Sequence, residues 1–219
     1  EGAGEYLVLQ NGMLVFNGDG TVAGSVTNSG TVEVNALVSF GGGLSNLATG
    51  TLNLNATGLN VTADNAGVIN VNAQNVTLSG SNSKTVNVAD GGSLTLKMTD
   101  AAGANYTVAA GGVLNLDSAS GTLFGRVDNA GTFNVISEVN SFVGGVSNSG
   151  TMVVERASNL ANVTNSNLLI LNGAAKLNGT VNDGTIQLNN GGVSVEGLTN
   201  NGILDITVGY TFDASEFEN

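Results

Sequence analysis

One nine-residue phrase limits the folds open to this 219-residue chain more than anything else in it. VDNAGTFNV (127–135) returns as VSNSGTMVV (146–154), with VTNSGTVEV (26–34) upstream and LTNNGILDI (198–206) downstream. Internal periodicity of this kind marks a repeat architecture, in which each copy is one small unit that cannot bury its apolar face alone. Anchoring each copy on the small residue before its strand gives Gly30, Gly50, Gly67, Lys84, Gly92, Gly112, Gly131, Gly150, Asn167, Gly184, Gly191 and Gly202. The gaps are 20, 17, 17, 8, 20, 19, 19, 17, 17, 7 and 11, so a period of about 18 residues runs through nearly the whole chain.

The residues two and four places after each anchor are apolar in all 24 cases, from Val32/Val34 to Leu204/Ile206, where the 41% hydrophobic composition would give about ten. Between each pair the residue is polar in ten of twelve copies, Val153 and Ile170 being the exceptions. That is period-two alternation, a short strand with one buried and one wet face. Asn recurs two places before the anchor, at Asn28, Asn65, Asn82, Asn129, Asn148, Asn165, Asn182, Asn189 and Asn200. Asn tolerates the left-handed backbone conformation and Gly adopts it freely, so each copy reads as a corner followed by a strand.

Coiling the chain so that each strand lies on its equivalent in the previous turn buries every apolar face at once. The reading is an all-β, right-handed parallel β-helix over residues 1–219, with Asn28, Asn65, Asn82, Asn129, Asn148, Asn165, Asn182 and Asn200 stacked as a structural ladder at one corner. No segment sustains a helical period, and Gly, at 33 positions, punctuates everything. About 12 turns at ~4.8 Å make a rod near ~55 Å long.

Residues 1–20 read as an N-terminal cap or a first rung, 21–203 as repeating rungs, and 204–219 as a long terminal strand with an acidic tail. In LVLQNGMLVF, Asn11-Gly12 between apolar runs carries a hairpin signal, and a capping hairpin and an ordinary first rung both fit it. At the other end LDITVGYTF alternates over nine residues. Unpaired strand edges invite association, so Leu7, Leu9, Leu14, Phe16, Leu204, Ile206, Val208, Tyr210 and Phe212 are the candidate capping or assembly residues.

The chain contains no Pro, Cys or His and no Trp. Missing His and Cys remove the usual zinc sites, Ser-His and Cys-His nucleophiles and redox dithiols. The formal charge is −12 and the five basic residues, Lys84, Lys97, Arg126, Arg156 and Lys176, are scattered. No patch could neutralise a run of phosphates, so nucleic acid and anionic membranes are poor partners. No apolar run reaches the ~18 residues of a membrane helix. The chain starts at Glu1 without Met or a signal-like segment, as a processed mature protein or an excised part of a longer one would.

Two acids at one register on adjacent turns, the minimum for glycosidase-type carboxylate catalysis, are not expected from the spacing. Asn17-Gly18-Asp19-Gly20-Thr21 opens like a calcium loop but lacks the distal Glu, so it reads as a turn. No cofactor and no catalytic or metal-binding residue is expected. Thr31, Thr51, Thr85, Thr132, Thr151 and Thr185 form a partial outward Thr ladder, interrupted by Val68, Val113, Leu168 and Ile203. A glycan-binding face would need aligned aromatics, for which only Phe40, Tyr106, Phe124 and Phe142 are available.

The phrases TNSGTVEV, DNAGTFNV and SNSGTMVV, with their Gly-Gly spacers, resemble those of exported bacterial β-helix proteins, the autotransporter adhesin passengers and haemagglutinin-like exoproteins, from about Thr21 to Ile206. The resemblance implies export across a Gram-negative envelope, display at the cell surface, and adhesion or self-association through the side of the rod. It carries no fixed site motif. The expected function is therefore a non-catalytic extracellular structural or adhesive β-solenoid, either an adhesin stalk or a self-assembling filament or surface-layer subunit. Its expected partners are itself or surface glycans or proteins of neighbouring or host cells. The alternative is a polysaccharide-binding module or a β-helix polysaccharide-degrading enzyme.

Overall fold

The computed structural model describes residues 4–117, 122–123, 125–139, 141–190, 192–207 and 214–218. It is a parallel β-solenoid without helices among those residues. Each turn contributes three strand segments, as in Val38–Phe40, Leu44–Asn46 and Thr51–Leu54, or Ser158–Ala161, Val163–Asn165 and Leu168–Leu171. Two continuous paths of twelve strands run the length of the rod, which makes eleven steps between rungs. Eleven steps correspond to ~53 Å, slightly below the length expected from counting anchors.

One face, called here face B, runs unbroken in register from Met13–Phe16 through Thr31–Val34, Thr51–Leu54, Val68–Val71, Thr85–Val88, Asn105–Val108, Arg126–Asn129, Val146–Asn148 and Val163–Asn165 to Asn182 and Asn200. Face A precedes it in each turn (Val26–Asn28, Leu44–Asn46), and face C follows it (Ser93–Leu96, Val113–Leu116, Thr132–Val135). At several turns the chain rounds the corner from C to A without leaving strand geometry. Ser93–Asp100 is the clearest case: its first half pairs with Val113–Leu116 and its second half with Gly80–Asn82.

The spacing of about 18 residues per turn holds, but the anchors do not all mark one face. The anchors up to Lys84 introduce strands of face B, whereas those from Gly92 to Gly184, and Gly202, introduce strands of face C. Thr85–Val88 therefore does not stack on Ser93–Leu96; it stacks on Asn105–Val108, which stacks on Arg126–Asn129. The gap of 8 between Lys84 and Gly92 is where the repeated phrase moves round the prism by one face. The strand of the Gly191 copy also leaves the series, since Val195 pairs with Leu177 on face A; Gly191 itself lies outside the described residues.

The core follows the alternation. Every apolar residue of the 24 is buried except Leu204, half-buried, and Ile206, exposed, both on the last rung. Val and Leu columns fill the rod, and Phe133 meets Phe142 edge to face, with ring centroids 6.3 Å apart at 86°. Each such side chain contributes about 1.5–3 kcal/mol on burial.

The anchor glycines have a different cause from the one expected. Gly30, Gly67, Gly131, Gly150, Gly184 and Gly202 are not among the glycines with positive φ. A Cβ on Gly131 would instead lie 2.3 Å from the Gly112 carbonyl oxygen of the turn before, and one on Gly150 would lie 2.1 Å from that of Gly131. These corners stack so closely that only hydrogen fits. The left-handed residues are others, including Asn11, Asn75 and Asn162.

Both ends differ in part from expectation. Tyr6–Val8 and Met13–Phe16 do not pair with each other; they pair in parallel with Val26–Asn28 and Thr31–Val34, so Asn11-Gly12 turns a first rung and makes no hairpin. The expected long strand through Phe212 is described only as Ile203–Ile206, followed by Thr207, whose N–H donates to Leu188 O of the previous turn at 3.2 Å. Val208, Tyr210 and Phe212 lie outside the described residues. Within the acidic tail, Ala214–Glu218 is a strand paired with Ser194–Asn200 through two register shifts.

Candidate functional site

The Asn residues of the repeated phrase form two columns on different edges of the prism. In the first, Asn28 Nδ2 donates to Asn46 Oδ1, Asn46 to Asn65 and Asn65 to Asn82, each at 2.8 Å. In the second, Asn129 donates to Asn148, Asn148 to Asn165, Asn165 to Asn182 and Asn182 to Asn200, each at 2.7 Å. All nine are buried. Most donate again to a strand carbonyl of the next turn, as Asn148 does to Leu168 O at 2.9 Å. The first column stands where the chain enters face B, and the second where it leaves.

Asn46 is absent from the expected set because its corner is two residues longer, which put Ala48 two places before Gly50. The signal was there in Leu44-Ser45-Asn46, which matches Val26-Thr27-Asn28. Asn189 fits the spacing but lies outside these columns: it is exposed and donates to Asn172 at 2.9 Å.

Between the two columns stands a buried polar cluster with perturbed chemistry. Asp100 takes the fifth place of the first column, in register with Asn82. The column reaches it through Tyr106, whose hydroxyl is hydrogen-bonded to the Asn82 side chain and donates to Asp100 Oδ1. Asp100 also accepts the Gly125 N–H. Its Oδ2 is shut off from solvent with no partner. Burial pushes the Asp100 carboxyl up to about 6 against the downward pull of its two donors, and burial with the neighbouring carboxylate holds the Tyr106 phenol far above its ordinary value. Gly125 makes room for the Tyr106 ring, since a Cβ there would lie 2.9 Å from it.

Outside, further amide columns line the rod. Asn87 donates to Asn70, Asn70 to Asn53 and Asn53 to Glu33 along face B; Asn72, Asn55, Asn35 and Asn17 do the same at its exit corner. Asp19 Oδ1 accepts the Leu37 N–H of the next turn at 2.8 Å, and the expected turn over Asn17–Thr21 is confined to Asn17–Asp19, since Gly20–Val22 is a strand paired with Val38–Phe40. The Thr ladder is split by the change of face: Thr31, Thr51 and Thr85 lie on face B, and Thr132, Thr151 and Thr185 on face C.

The glycan-stacking aromatics do not line an outer face. Tyr106 and Phe142 are buried, and Phe40 packs half-buried on Phe16 with centroids 5.5 Å apart; Phe124 lies outside the described residues. Among the described residues no three His, Cys, Asp or Glu side chains gather as a metal site. No helix among them is long and apolar enough to cross a membrane. The largest concavity at the N-terminal end is a groove of about 470 Å³ along Glu5–Leu9 and Gly12–Leu14. Leu7 and Leu9 are exposed there with Met13 and Val15, whereas Leu14 and Phe16 turn inward; at the far end Ile203 and Ile206 are exposed.

The chain matches no protein-family model, and no curated protein matches it. Among solved structures it is similar to the TibC-catalysed, hyper-glycosylated TibA 55–350 fragment, at 16% identity over 95% of this chain and 97% of that one, with a TM-score of 0.33. At that score the functional reading rests on this chain's own residues.

Proposed function

We propose that the chain is a rod-forming segment of a non-catalytic, adhesin-like structural protein that works outside a bacterial cell and makes contacts through its sides. The observation that carries this reading is the pair of buried Asn columns joined by continuous parallel pairing. They tie successive rungs together over Asn28–Asn82 and Asn129–Asn200, and the outer faces carry few charges, with 10% of the sequence charged. Such faces suit broad contact with a glycan coat or another protein better than enclosure of a small substrate. The repeated phrases shared in style with exported bacterial β-helix proteins support the location. Beads coated with the chain should adhere to cell monolayers, and soluble surface glycans or proteins should compete. Turnover of a polysaccharide by the chain would overturn the reading.

The exposed apolar residues Leu7, Leu9 and Met13 on the first rung and Ile203 and Ile206 on the last favour a second element. Further rungs stack on these ends, from the same polypeptide or from a second copy. Because all strands are parallel, the two ends are complementary rather than identical, so stacking of copies is head to tail and open. Replacing Leu7 and Leu9 with Lys should abolish any concentration-dependent lengthening; unchanged lengthening would sink this part.

A further inference from the structure

We propose that the corner formed by Asp100, Tyr106 and Gly125 is a proton-operated joint, locked when Asp100 is protonated and loosened when it is ionised. The geometry singles out this corner. The first Asn column stops at Asn82 and the second starts at Asn129, so the corners at Asp100 are held by neither. A carboxyl replaces the amide in the column's fifth place, and its partners are the Tyr106 hydroxyl and the Gly125 N–H. The facing ends of the two columns are short of partners: Asp100 Oδ2 and Asn129 Oδ1 are each buried and unpaired. A single negative charge in that position is far more costly than a neutral carboxyl.

No compensating cation faces Asp100 from the strands packed against it, among the described residues. Lys97, on the same strand, is held by Asp117 at 3.2 Å, and Arg126 by Asp128 at 2.7 Å. Lys84, in the corner one turn earlier, is exposed, and Asp64, two turns earlier, points outward and accepts from Ser81 at 2.7 Å. The remaining neighbours are Asn82 and Tyr106, both uncharged.

The direction follows from proton binding. The folded joint holds its proton up to about pH 6, whereas the opened chain releases it near the ordinary 3.8, so the folded joint binds more protons between these values. Stability is therefore full below the lower value, falls as pH rises between the two, and stays low above the upper one. From pH 4 to pH 8 the equilibrium for opening the joint rises about 60-fold if opening exposes Asp100 fully.

Hydrogen exchange on the intact chain, read as protection after correction for intrinsic rates, tests this. Between pH 4 and pH 8, protection in 98–108 and 125–131 should fall about 60-fold relative to 44–71 and 151–171. Asp100→Asn should remove the difference. Protection in 98–108 and 125–131 that changes no more than in the reference rungs overturns the proposal without any variant. So does a pH-dependent loss of the same size in Asp100→Asn.

Discussion

Asn148 is the most exacting test of the inner columns. Its amide donates to Asn165 Oδ1 at 2.7 Å and to Leu168 O at 2.9 Å, and it accepts from Asn129 at 2.7 Å, with the side chain 1% exposed. Asn148→Ala removes all three bonds, each worth about 1 kcal/mol net. Asn165 Oδ1 is left buried, which adds a desolvation cost of about 1–3 kcal/mol. Asn129 Nδ2 keeps the Thr151 and Gly131 carbonyls, which limits the damage on that side. The expected loss is at least about 3 kcal/mol, or more than a hundredfold in the local opening equilibrium. Long repeat arrays do not unfold in a single all-or-none step. The assay is therefore hydrogen exchange across 146–171, with guanidinium unfolding as a companion. The control is Asn189→Ala, an exposed column position that should cost less than about 1 kcal/mol. Equal losses at the two positions would refute the claim that the buried columns, rather than strand pairing alone, bind one rung to the next.

Gly150→Ala should cost more than about 2 kcal/mol, and Gly18→Ala less than about 1 kcal/mol, since a Cβ at Gly150 meets the Gly131 carbonyl at 2.1 Å whereas nothing lies within 4 Å at Gly18; thermal melts of the two would rank them. Phe133→Ala, which empties a fully buried ring site and breaks the contact with Phe142, should cost about 3–5 kcal/mol in guanidinium unfolding. Tyr106→Phe should leave Asp100 Oδ1 without its hydroxyl partner and raise the Asp100 pKa further above about 6, read by carboxyl NMR titration. Lys97→Ala should change stability by less than about 1 kcal/mol, because its ion pair with Asp117 is half exposed on both sides.

The solenoid was legible because its cause is local. Alternation at Val32/Val34 or Phe133/Val135 and the 17–20-residue spacing both follow from short strands stacked at one rung distance. The change of face was not, because counting from glycine to glycine treats every corner as the same corner; the gap of 8 after Lys84 was its trace in the sequence. The anchor glycines were assigned to the right places for the wrong reason. A left-handed corner and a corner too tight for a Cβ both select Gly, and only inter-rung distances such as 2.3 Å at Gly131 separate them. Asn46 was hidden by two extra corner residues, and Tyr106 by its type, since an aromatic with a hydroxyl fits a core position and an outer face equally well on paper. The Asp100 site needed the register of Asn82 with Asp100, across a strand that rounds a corner, and no spacing rule supplies that.

Electron microscopy of the purified chain over a concentration series tests the rod most directly. Twelve stacked strands on each path call for straight particles about 53 Å long at low concentration, with longer ones growing only end to end. Compact particles of equal dimensions would contradict the account.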